Sequence, residues 1–223
     1  SLSSAQSSPQ SSSSIKNWLQ DTILLGLEPT PEILAIVTIY FVEGAVGLAQ
    51  LAKTYLLKDQ LHLGPAEMSA LSGIFVLPWT IKPLYGFLSD GLPLYGYRRK
   101  SYLIAAGLTG GLSYALLGYS PFWDSLETST AVAGTCVALI LSSACIAVSD
   151  VVADGIVVTR TRKESANNPA LAGSLQSLCW GSSAIGALLA SYYSGSLIET
   201  LGNRGVFGLT AALPLLVALI AIG

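Results

Sequence analysis

The sequence predicts an all-α membrane protein of six transmembrane helices, and three observations carry that expectation. The 223 residues are 52% hydrophobic with a mean hydropathy of +0.60, and only 11% are charged. A soluble domain carries roughly 25% and needs those charges to cover its surface. The charges are also clustered: residues 101–123, 128–149, 165–198 and 205–223 contain no Asp, Glu, Lys or Arg. An apolar run of about 18 residues or more crosses a ~30 Å hydrocarbon layer as a helix. Lastly, with six crossings, Lys16, Arg98, Arg99, Lys100, Arg160, Arg162 and Lys163 fall on one face, and only Lys53, Lys58 and Arg204 on the other. The more basic face is the cytoplasmic, stromal or matrix side. Secreted disulfide scaffolds, nucleic-acid binders and ordinary cytosolic enzymes are excluded.

Residues 1–14 contain nine serines and no charge, and position 1 is not Met. They read either as a tail too polar to fold or as the remnant of an organelle-targeting peptide, though without the usual arginines. Residues 15–29 place Trp18, Leu19, Ile23, Leu24 and Leu27 among Lys16, Asn17 and Asp21, as in a short amphipathic helix at the lipid interface. Thr30, Pro31 and Glu32 then form a helix start, with an N-cap, a first-position proline and a first-turn acid. Spans follow at about 33–56, 66–89, 101–120, 129–158, 169–197 and 205–223.

The fifth span has two rows of small residues at four-residue spacing. Ser182, Gly186, Ala190 and Ser194 form one, and Ser183, Ala187, Ser191 and Gly195 the other. Such rows let helix backbones approach closely in lipid. Cys136, Cys145 and Cys179 match no zinc or redox spacing, and His62 stands alone, so neither a metal site nor a cofactor is expected.

Ionisable groups inside spans are costly and need a partner or a function. Glu43 lies about ten residues, roughly 15 Å, into the first span, near the midplane. Lys82 is the only Lys or Arg within the hydrophobic part of a span, and Pro83 beside it frees a backbone carbonyl one turn earlier. Asp150 and Asp154 sit one turn apart on the fourth span, which Arg160 closes. Two roles stand open. Glu43 and Asp150 are proton-binding carboxylates with Lys82 attracting an anionic substrate, or Lys82 pairs permanently with one of them to order the bundle. Asp154, nearer the interface, is expected to pair with loop arginines.

The connection after the second span reads Gly86-Phe-Leu-Ser-Asp90, then Gly96-Tyr-Arg98-Arg99-Lys100. It resembles the loop signature of the major facilitator superfamily, with five residues, Gly91 to Tyr95, inserted. An acid at a helix end meeting an arginine or a helix N-terminus forms a charge latch, with Asp90, Arg98, Arg99 and Asp154 as the candidates. A fainter echo, Gly195-Ser-Leu-Ile-Glu199 and Gly202-Asn-Arg204, follows the fifth span, as two inverted three-helix repeats would produce.

A more specific resemblance lies in Leu77-Pro78-Trp79, Lys82-Pro83-Leu84-Tyr85-Gly86, Ser89-Asp90, Gly96-Tyr97-Arg98-Arg99, Ser149-Asp150-Val-Val-Ala-Asp154 and Gly173-Ser174-Leu-Gln176-Ser177-Leu-Cys-Trp180-Gly181. Over residues 30–215 these are similar to the folate–biopterin transporter family, nearest its plant, algal and cyanobacterial members. The chain departs from it at Thr159, where many members carry a glutamate.

The resemblance implies the N-terminal six-helix half of a twelve-span major-facilitator transporter, whose partner is the C-terminal half. It implies proton-coupled carriage of a folate or pterin across a lipid bilayer, in the plastid envelope or otherwise the plasma membrane. Trp79, Trp180 and Gln176 would bind the pterin, and Lys82 or Arg160 the acidic tail. A carrier for another organic anion or a sugar, and a non-transporting half that only assembles, are the alternatives. An intramembrane aspartyl protease fails, because its two acids should face each other from different helices.

Overall fold

Caps and prolines set where the helices begin and bend. The computed structural model describes residues 18, 22–94, 96–119, 122–123, 125–165 and 169–222. The serine-rich stretch 1–14, and residues 15–17 and 19–21 of the expected interfacial segment, lie outside the described residues. Of the rest of that segment, Trp18 and Ile23 are exposed, while Leu24 and Leu27 are buried.

Helix α1 (Pro31–Ala45) starts with the Thr30 hydroxyl accepting from the Ile33 N–H at 3.3 Å. Through Gly47 it continues into α2 (Leu48–Tyr55) and a wide turn at Leu56–Gln60, which together make one apolar stretch, Pro31–Gln60. Lys53, one of the charges expected on the less basic face, lies inside α2. Glu67 caps α3 (Pro65–Thr80) by accepting from the Gly64 N–H at 2.7 Å. Ile81 (φ −94°, ψ 14°) interrupts the helix before α4 (Lys82–Gly91). Pro83 explains the break: it cannot donate, and its ring clashes with the carbonyl four residues earlier.

Helices α5 (Lys100–Gly118), α6 (Thr128–Ser165) and α7 (Pro169–Ile222) complete the bundle. An unbroken α7 would run ~80 Å, far more than a bilayer. Gly202 breaks it in the left-handed region (φ 70°, ψ 171°), where a side chain is strained. By length and hydropathy five stretches among the described residues can cross a membrane, the last being Ala172–Ile222. Contacts show that this last stretch holds two passes. Ser182 donates to the Val37 carbonyl and Gly47 faces Ala190, so residues 169–201 run parallel to α1. Gly107 faces Pro214 and Gly118 faces Gly208, so residues 203–222 run antiparallel to α5. Lys100 accordingly donates to the Ile222 carbonyl at 2.9 Å. Six passes alternate in direction, with α3 and α4 running parallel to α6 through the Ser143 hydroxyl bond to Phe75 O and the Lys82–Asp150 ion pair.

Of the two small-residue rows, the first is buried. Ser182, Gly186, Ala190 and Ser194 lie against neighbouring helices, and Gly186 touches the α1 backbone at Phe41. In the second row Ser183 is half-buried, while Ala187, Ser191 and Gly195 are exposed. The first row packs its side chains inside the bundle, while the second lends the backbone of Ser183 and Ala187, which Gly44 of α1 meets.

Candidate functional site

Where α1–α2, α3, α5 and α6 meet, they line a partly open cavity of about 410 Å³ in the half of the bundle nearer the less basic face. Its volume falls within the usual range for small-molecule pockets, roughly 300–1,000 Å³. From α1–α2 it receives Glu43, Gln50 and Lys53, which at seven- and three-residue steps share one helical face. Helix α3 contributes Phe75 and Trp79, one turn apart, and α5 and α6 add Tyr114, Ser142 and Ser143. Aromatic faces and a few polar groups line it, with an acid at the inner end and a cation toward the outer.

Behind Glu43 lies a narrow cleft that it lines together with Ser149 and Asp150. Asp150 is ion-paired with Lys82, and its side chain is only 9% exposed. The break at Ile81 makes Lys82 the first residue of α4, and its ammonium sits 4.3 Å from the Trp79 ring centroid. Glu43, Trp79, Lys82 and Asp150, singled out from sequence, are thus brought together from four helices, α1, α3, α4 and α6.

Asp154 departs from expectation. Its Oδ1 accepts a hydrogen bond from the buried Tyr40 hydroxyl rather than from a loop arginine. The reason is register: Tyr40 precedes Glu43 by one turn of α1, as Asp154 follows Asp150 by one turn of the antiparallel α6. Tyr40 carried no sequence signal beyond being a membrane aromatic.

At the basic face, Arg99 holds Asp90 at 3.0 Å and donates from Nη1 to Gly155 O and Thr159 Oγ1, both at 2.8 Å. This clasp ties the end of α4 to α6. The neutral hydroxyl of Thr159 accepts there, where an acid would add a second ion pair. Arg98 is exposed and makes no ion pair among the described residues. Arg160 donates to Glu32 at 3.0 Å, which places it at the mouth of α1 and away from the cavity. Gln176 and Trp180 are exposed on α7 and do not line the cavity; Leu175 and Cys179 take the buried positions between them. Lys53, Gln50, Phe75 and Tyr114 are among the cavity residues that sequence reasoning passed over.

Residues 43–223 match the BT1 family. The folate-biopterin transporter of Synechocystis sp. is 43% identical over 205 residues, covering 92% of this chain and 39% of that protein. An Arabidopsis thaliana protein named "Probable folate-biopterin transporter 2" is 37% identical over 179 residues, covering 79% of this chain and 34% of its own. Folate transporter 1 of Plasmodium falciparum is 30% identical over 179 residues, covering 80% and 34%. The chain thus spans about two-fifths or less of the length of these relatives. No solved structure matches. With six apolar passes, the shared motif residues and these relatives together, the chain belongs to the BT1 family of folate–biopterin transporters, as an integral, multi-pass membrane protein.

Proposed function

We propose that this protein carries folates or pterins across a membrane, coupled to protons, by alternating access. The observation that carries the reading is the cavity ending on Glu43, beside the Lys82–Asp150 pair. Phe75, Trp79 and Tyr114 offer faces against which a flat pterin can stack. The cluster at the inner end holds two acids and one cation, so one bound proton neutralises it. A proton taken up by this cluster would loosen the Lys82–Asp150 pair, which is the link between proton and movement. The six-helix unit would rock against a second such unit around this site. Opening the basic face requires the Arg99–Asp90 clasp to part.

Uptake of labelled folic acid and biopterin into vesicles bearing the full-length protein tests this. An inward proton gradient should raise the accumulation of both. Asp90→Asn should change the rate of uptake and leave its half-saturation unchanged. Uptake indifferent to the gradient would remove proton coupling, and uptake of neither compound would remove the reading altogether.

A further inference from the structure

Two lysines stand over two aromatic rings of α3, and they differ in what neutralises them. Lys82, over Trp79, is paired with Asp150. Lys53 lies 5.6 Å from the centroid of the Phe75 ring and lines the cavity, yet makes no ion pair with a carboxylate among the described residues. A half-buried ammonium that lines the cavity near the outer end of its span attracts an anion into that cavity. The cavity between Lys53 and Glu43 is the place for a ligand that brings one.

We propose that Lys53 is the residue that selects for the acidic tail of the ligand, binding the carboxylates of a folate's glutamate. This rests on the transport reading above and assigns the ligand's orientation within that site. Glu43, at the inner end, receives the opposite edge of the ligand. A pterin presents an amino group and an adjacent ring N–H side by side, and a carboxylate accepts from both. Ten residues separate Glu43 from Lys53, ~15 Å along the helix axis, a span suited to an extended molecule with its donor edge at one end and carboxylates at the other. The reverse orientation would bring the tail carboxylates to a cluster of two acids whose one cation, Lys82, is already paired with Asp150. It would also leave the ring edge facing an ammonium that cannot accept. Charge and donor pattern therefore agree on a single direction, ring inward and tail outward.

Folic acid and biopterin separate this inference from the reading it rests on, because biopterin has a pterin ring and no glutamate. In vesicles carrying the full-length protein, Lys53→Met should raise the half-saturating concentration of folic acid about tenfold or more, the weight of a charge-assisted hydrogen bond. Biopterin uptake should not change. Lys53→Arg keeps the charge and should keep folic acid uptake near that of the wild type. If Lys53→Met fails to reach the membrane, Lys53→Gln carries the same test. An equal loss for both compounds, or unchanged folic acid uptake, would overturn the role of Lys53. Wild-type protein that carries neither compound would overturn the transport reading itself.

Discussion

Gly44→Ala and Gly186→Leu should each prevent the bundle from assembling stably, despite adding as little as one methyl group. A Cβ at Gly44 would overlap the Ser183 carbonyl oxygen, and one at Gly186 would overlap that of Phe41. Both obstacles are backbone, so α1 and the first arm of α7 would have to separate along their whole contact. Overpacking of this kind costs on the order of 3 kcal/mol. In lipid the lost close contact has no hydrophobic term to replace it. Gly195→Ala, on the same helix but with nothing within 4 Å of the added atom, is the matched control and should behave as wild type. Thermal unfolding of the detergent-purified protein reads the difference. A Gly44→Ala protein as stable as Gly195→Ala would mean that α1 and α7 do not meet in this way.

Lys82→Met should be nearly as damaging, and its rescue is diagnostic. Removing the ammonium leaves the buried Asp150 carboxylate without its counter-ion; breaking a buried pair from one side costs about 3–5 kcal/mol. Removing both charges with Lys82→Met and Asp150→Asn should restore yield and thermal stability. If Asp150 couples protons to movement as proposed, the double variant should nevertheless lose the accumulation driven by a proton gradient. Stability of the single variant equal to wild type would deny the pairing. Gradient-driven uptake by the double variant would deny that Asp150 couples protons to movement.

The features legible in the sequence are those that a bilayer enforces residue by residue. Apolar length and Pro31 mark helices, and Glu43, Lys82 and Asp150 stand out because charge is rare in hydrocarbon. Gly202 lay in the expected turn, and its positive φ is what separates two passes within one continuous run of helix. The small-residue row through Gly186 was visible as spacing. Its counterpart Gly44 was not, since a single glycine on α1 acquires meaning only from the backbone opposite. Register between helices is likewise absent from periodicity, which is why Tyr40 rather than an arginine faces Asp154. Lys53 was hidden by its place at the end of the first span, where with Lys58, Asp59 and Gln60 close behind it reads as one of the charges of the less basic face. Only the continuation of α2 into the wide turn shows that it lies on the Glu43 face of the helix.

The most direct measurement is whether a folate occupies this cavity. Ser72 lines it and is exposed, and its hydroxyl bonds only its own helix, at Met68 O. Ser72→Cys, in the full-length protein with Cys136, Cys145 and Cys179 replaced by alanine, places a thiol on the cavity wall. Folic acid at saturating concentration should slow its labelling by a membrane-permeant maleimide, in proportion to occupancy. Labelling at an unchanged rate while the same protein continues to take up folic acid would place the binding site elsewhere.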